Sequence, residues 1–152
     1  MLRLSKKADY ALMAMKHLAL RGDRALAASS SAREIAEQYD IPIELMAKVL
    51  QRLVRGGLLA SHQGTRGGYQ LARLPSQISV ADVIQAIDGP VTVTACSTEV
   101  GSCEQFSKCN VRDPLWRVRE RILAALGECT IAELASDPPA SVARAAVLHT
   151  HL

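Results

Sequence analysis

The chain has 152 residues, 49% hydrophobic and 22% charged, which is the balance of a folded globular protein and excludes a disordered one. Aromatic residues are only 3%, so the core must be aliphatic, and no apolar run approaches the roughly 20 residues of a membrane span. Charge is uneven: residues 1–73 hold 12 Lys/Arg against 6 Asp/Glu, and residues 74–152 hold 6 against 9, so a polyanionic partner is expected at the first half only. The N-terminus starts basic and turns apolar, but Lys16 and His17 interrupt it and no small-residue cleavage site follows. A signal peptide is therefore not read, and a cytoplasmic protein is expected. There the four cysteines read as ligands, redox groups or core rather than permanent disulfides.

Residues 6–20 read as a helix with Tyr10, Ala14 and Leu18 on one face and Met13 and Met15 beside them. Ser31-Ala32-Arg33-Glu34 has the form of a capping box and starts a short helix to about Tyr39. Asp40-Ile41-Pro42 is a turn, with Pro42 suited to the first helical position of a helix over 42–55. Met46, Val49, Leu50 and Leu53 form its buried stripe, while Glu44, Lys48, Gln51, Arg52 and Arg55 face solvent. Gly56-Gly57 stops it. Leu58 to His62 and Tyr69 to Ala72 then read as two strands around a glycine-rich tip, residues 63–68.

Ser79-Val80-Ala81-Asp82 caps a further helix with Val80, Val83, Ile84 and Ile87 inward, and Asp88-Gly89-Pro90 breaks it. Residues 91–111 show no clean period. Residues 113–126 read as an amphipathic helix in which Leu115, Val118, Ile122 and Ala125 recur as at a helix–helix seam. Thr130-Ile131-Ala132-Glu133 is another capping box over a short last helix, and the Ala/Pro/Ser-rich stretch from Asp137 is expected to fray.

Two capped helices joined by a tight turn and followed by a two-stranded ribbon give the order of a winged helix-turn-helix in a mostly α protein. An α-helix fits the major groove of DNA, and its first turns meet base edges. That surface here is Pro42, Ile43, Glu44, Ala47, Lys48 and Gln51. Arg66 is the only fixed charge on the ribbon tip and can reach a neighbouring groove or the backbone; the bland alternative is a solvated loop.

Cys96, Cys103 and Cys109 form a C-x6-C-x5-C pattern in the irregular stretch. Soft thiolates select iron–sulfur clusters, zinc or copper(I). Structural zinc favours tight C-x2-C knuckles, so this wider spacing fits a cluster better, with a reactive-thiol switch next. Cys129, at the end of an apolar stripe, reads as core.

Three segments together carry a resemblance: Leu4-Ser5-Lys6-Lys7-Ala8-Asp9-Tyr10-Ala11, Gly64-Thr65-Arg66-Gly67-Gly68-Tyr69, and the three cysteines followed by Trp116. Residues 1–135 resemble the IscR/NsrR family of bacterial winged-helix regulators. The segment Cys103-Glu104-Gln105-Phe106-Ser107-Lys108-Cys109-Asn110-Val111-Arg112 is similar to the branch that regulates the Suf iron–sulfur assembly system. The resemblance implies a homodimer, a long C-terminal helix crossing between subunits, and one cluster per subunit, 2Fe-2S or 4Fe-4S, on Cys96, Cys103 and Cys109. IscR-like members carry a histidine ligand three residues after the third cysteine; here that position is Arg112, whose guanidinium has no lone pair to give. NsrR-like members carry an acidic residue at the position of Asp9 that reaches across the dimer to the cluster, which makes Asp9 the expected fourth ligand. Glu99, Glu104 and Asp113 are local alternatives, and a carboxylate in a first helical turn is also favoured by the helix dipole alone.

The expectation is a winged-helix part over 1–75, a cluster-binding and dimerising part over 76–135 and a flexible tail over 136–152. Its function would be repression or activation of iron–sulfur assembly genes according to cluster status, at a roughly palindromic double-stranded operator. A nitric-oxide-responsive repressor and a cysteine redox switch without a cluster are the alternatives. No catalytic Cys/His/Asp set, phosphate loop or HExxH appears, so neither an enzyme nor a small-molecule substrate is expected, and a cluster carrier would leave the basic first half unexplained.

Overall fold

A computed structural model describes residues 3–22, 29–65, 67–93 and 103–136. Along the chain run α1 (Lys6–Gly22), α2 (Ala32–Gln38), α3 (Ile43–Arg55), β1 (Leu59–His62), β2 (Gly68–Leu71), a short 3-10 turn (Pro75–Gln77), α4 (Val80–Asp88), α5 (Arg112–Glu128) and α6 (Ile131–Ser136). The 3-10 turn has no counterpart in the sequence reading. Expected fraying from Asp137 onward lies outside the described residues.

Local chemistry sets the helix boundaries. Ser31 accepts from the Glu34 N–H at 3.1 Å while its own N–H donates to the Glu34 carboxylate at 2.8 Å. The same reciprocal pairs occur at Ser79/Asp82 and Thr130/Glu133, as the three capping boxes require. Between α2 and α3, Asp40 takes a left-handed φ of 52°, a conformation Asp tolerates better than most residues, and Ile41 N–H donates back to the Ala36 carbonyl. Pro42, expected as the first helical residue, is instead the N-cap of α3, which begins one position later at Ile43. Gly57, at φ 73°, turns the chain from α3 into β1.

One aliphatic core joins α1, α2, α3, β1, α4 and α6. Ala11, Ala14, Met15, Ile35, Met46, Leu50, Leu53, Ile78, Val83 and Ile131 have no or almost no exposed surface. The alanines of α1 let its neighbours approach closely. Tyr10 is only half-buried and Met13 is exposed, because the buried arc of α1 is centred on Ala11, Ala14, Met15 and Leu18 and leaves Met13 to one side. Burying a Leu or Met side chain contributes about 1.5–3 kcal/mol, so these residues dominate the stability.

β1 and β2 pair antiparallel, Leu59 opposite Leu71 and His62 opposite Gly68, forming the wing. A second bridge, absent from the sequence reading, ties this wing to the segment before α2: Ser30 and Tyr69 exchange backbone hydrogen bonds of 3.0 and 2.8 Å. Gly68 is required there, since an added Cβ would lie 2.8 Å from the Ser30 carbonyl carbon and oxygen.

Candidate nucleic-acid interface and cysteine turn

The exposed face of α3 carries the residues selected from sequence. Pro42, Ile43, Glu44, Lys48 and Gln51 are exposed and Ala47 is half-exposed, while Met46, Val49, Leu50 and Leu53 pack inward. Pro42 supplies no side-chain cap, so the first N–H groups of α3 stay open to an anionic acceptor. Arg66 lies outside the described residues.

Sequence reasoning gave too little weight to the cations on the flank of α3. Lys7, Leu45, Lys48, Val49, Gln51, Arg52 and Arg55 line one cleft of about 230 Å³ where the start of α1 meets α3. No ion pair to Lys7, Lys48 or Arg55 is formed among the described residues, so this face is a concentrated positive potential. Arg52 donates to the Ile87 carbonyl at 2.9 Å, placing its charge at the C-terminal end of α4, where the helix dipole favours it.

The same end of α4 holds the start of α1. Ser5 Oγ donates to Asp88 at 2.6 Å, Ser5 N–H donates to the same carboxylate at 3.3 Å, and Ser5 Oγ accepts from the Ala8 N–H. Asp9 follows in the first turn of α1, half-buried. Residues 87–88 thus grip both α1 and α3, immediately before the stretch that carries the cysteines.

Cys103 and Cys109 lie half-buried at the two ends of one turn, and both are free thiols. Cys103 donates weakly to Gln105 Oε1 at 3.9 Å. Cys96 falls outside the described residues, as does Glu99, and among the described residues no group of three His, Cys, Asp or Glu side chains converges. Arg112 closes this turn: it donates to the Phe106 carbonyl and to Asp113, each at 3.1 Å, and its guanidinium stacks 4.5 Å from the Phe106 ring centre. It fastens the cysteine turn to the start of α5, three residues after Cys109. Glu104 and Asp113 are exposed.

Cys129 is half-buried rather than core. It is the C-cap of α5, and its carbonyl accepts from the Val80 N–H at 2.8 Å, so backbone pairing sets its place more than side-chain packing does. The expected seam on α5 is largely uncovered in the single chain: Leu115 is 39% and Val118 45% exposed, Ala125 is exposed and Ile122 is half-buried, with Trp116 exposed beside them.

A polar cluster that no sequence pattern announced sits between α1 and α2. His17 Nδ1 is 3.0 Å from the Tyr39 hydroxyl, and His17 Nε2 is 3.3 Å from Oγ of the fully buried Ser30, which also accepts from Arg21 at 2.8 Å. Burial pushes the His17 pKa down, the Arg21 charge adds to this, and Glu34 opposes it; burial raises Tyr39.

Among the described residues no helix is long and apolar enough to cross a membrane. The sequence pattern of the Rrf2 family, described as an iron-dependent transcriptional regulator, matches residues 4–137. The chain is 33% identical over 137 residues to the HTH-type transcriptional regulator IscR of Cronobacter sakazakii, covering 90% of this chain and 82% of that protein. Its fold is similar to that of CymR, the global cysteine regulator of B. subtilis, with a TM-score of 0.73, 26% identity, and coverage of 90% of this chain and 98% of that one. It is also similar to T. potens IscR, with a TM-score of 0.66, 25% identity, and coverage of 93% and 96%. With an exposed basic helix, α3, followed by a two-stranded wing, and a family match over most of its length, the chain belongs to the Rrf2 family of DNA-binding transcription regulators and is not an enzyme.

Proposed function

We propose that the protein is a homodimeric repressor or activator whose affinity for a roughly palindromic operator is set by an iron–sulfur cluster. The observation that carries this is the pair of free, half-buried thiols Cys103 and Cys109, fastened by Arg112 to a helix whose apolar seam is open. The donor set fits a cluster: soft thiolates at both ends of a closed turn, Cys96 a few residues upstream, and a carboxylate, Asp9, for the remaining site. Cys96, Cys103 and Cys109 would hold the cluster, with Asp9 of the partner subunit as fourth ligand. When bound, the cluster supplies a centre sensitive to oxygen, nitric oxide and iron supply.

The chain's own residues give this reading its DNA end. Lys7, Lys48, Arg52 and Arg55 attract the phosphate backbone, α3 offers its outer face to the major groove, and the wing reaches alongside. Asp9 lies one turn beyond Ser5, which Asp88 grips; Asp88 and Ile87, which holds Arg52, end the same helix. A change at Asp9 would therefore reach the recognition helix through α4. The expected targets are iron–sulfur assembly genes.

The fold similarity to CymR favours one second reading, a regulator that switches by oxidation of its cysteines without a cluster. Anaerobic isolation with visible and Mössbauer spectra separates the two. A brown protein that bleaches in Cys103→Ala and Cys109→Ala supports the cluster. A colourless protein whose DNA affinity follows thiol oxidation supports the switch.

A further inference from the structure

We propose that His17, Ser30 and Tyr39 form a proton-sensitive latch that positions the wing against the helix-turn-helix, so that acidification loosens the grip on DNA. The proposal rests on the DNA-binding reading but not on the cluster.

Ser30 has two roles at once. Its backbone exchanges two hydrogen bonds with Tyr69 of β2, the attachment of the wing to the segment that leads into α2. Its buried hydroxyl meets Arg21 and His17 of α1. A guanidinium can only donate, so Arg21 takes a lone pair of Ser30 Oγ. The hydroxyl hydrogen is then free to point at His17 Nε2. That assignment leaves the ring hydrogen on Nδ1, donating to the Tyr39 hydroxyl at the end of α2. A neutral imidazole thus joins α1, the end of α2 and, through Ser30, the wing.

Protonation breaks this arrangement. Nε2 becomes a donor aimed at an oxygen that already accepts from Arg21, and the Ser30 hydrogen loses its acceptor. A second positive charge also arises beside Arg21. The charged groups around the ring are Arg21 on its own helix and Glu34 on α2, and Tyr39 is the other titratable neighbour. Glu34 is half-exposed and already engaged with the Ser31 N–H, so it offsets the new charge only in part. The expected response is a shift of Ser30, and with it of the Tyr69 strand.

The test uses the full-length protein, a mixed-sequence duplex of about 30 base pairs at low salt, and pH between about 5 and 8, where histidine titrates and DNA phosphates do not. Wild-type affinity should fall with acid by up to about tenfold per pH unit for each proton taken up. His17→Gln keeps one donor and one acceptor without titrating; it should bind as wild type near pH 8 and lose the acid fall. To exclude repacking in the variant, the wild-type protein is also followed by NMR, where the Tyr69 and Gly68 amides should shift with the same midpoint as the His17 ring. An acid fall that persists unchanged in folded His17→Gln, or Tyr69 and Gly68 amides that ignore the His17 titration, would overturn the latch. Shared titration of His17 and Tyr69 in a protein that binds no duplex at any pH would support the latch while removing the DNA-binding reading.

Discussion

Replacing Gly68 with Ala adds one methyl group where the wing meets the body of the protein. The new Cβ would lie 2.8 Å from both the carbonyl carbon and oxygen of Ser30 and 3.2 Å from the Ser31 nitrogen. These are backbone atoms of the segment that leads into α2, so no flexible side chain can move aside. The two segments must separate, which weakens the Ser30–Tyr69 pair of hydrogen bonds, each contributing about 1 kcal/mol net. Overpacking of this kind costs about 1–3 kcal/mol by itself, so the total is roughly 2–4 kcal/mol. Against a typical stability of about 5–15 kcal/mol the variant stays folded, and with a mid-range urea slope of about 2 kcal/mol per molar its midpoint should drop by about 1–2 M. Gly57→Ala is the comparison, because its φ is also positive but nothing lies within 4 Å; it carries strain alone, about 1–2 kcal/mol. Urea unfolding followed by circular dichroism, with DNA binding measured on the same samples, gives both numbers. An unchanged midpoint and unchanged DNA affinity for Gly68→Ala would refute the wing attachment through Ser30.

Three further predictions concern separate parts of the molecule. Cys103→Ala and Cys109→Ala should bleach the anaerobic protein, whereas Cys129→Ala should keep its colour, since Cys129 acts mainly as a backbone cap; visible spectra decide, and a colourless but folded Cys129→Ala would reverse the assignment. Arg66→Ala should weaken DNA binding by about 1–3 kcal/mol and lower the salt slope by about 1; identical titrations at several salt concentrations would take the ribbon tip out of the interface. Stability itself should decline as pH falls below the ordinary histidine value of 6.5. His17 has a lowered folded pKa, so the unfolded chain binds the extra proton first, and the loss should run from that value down to the folded one and vanish in His17→Gln; a flat wild-type curve there would contradict the burial of the ring.

What the sequence made legible was local. The capping boxes at Ser31, Ser79 and Thr130 need only residues three apart, and the α3 stripe needs only a period of 3.6, so both were found where they stand. The links that position the site are long-range. Ser5 meets Asp88 across 83 residues and Arg52 meets Ile87 across 35, and no spacing rule announces such pairs. The Ser30–Tyr69 bridge and the His17 cluster were hidden for the same reason: each residue is unremarkable until the fold brings its partner. That Met15 is buried and Met13 exposed, though both flank the expected face, follows from α1 packing through alanines, which carry little periodic signal. Arg112 could be denied a ligand role from its chemistry, but its work as the clasp of the cysteine turn required the Phe106 carbonyl and ring in place.

The proposed control of DNA affinity by a cluster is tested most directly on one anaerobic preparation. A promoter fragment of iron–sulfur assembly genes is titrated with the loaded protein and then with the same protein after the iron is chelated. A change of about tenfold or more, a coupling of about 1.4 kcal/mol, is predicted, and it should collapse in Asp9→Ala. Equal affinities for the loaded and stripped protein would contradict control of DNA binding by a cluster.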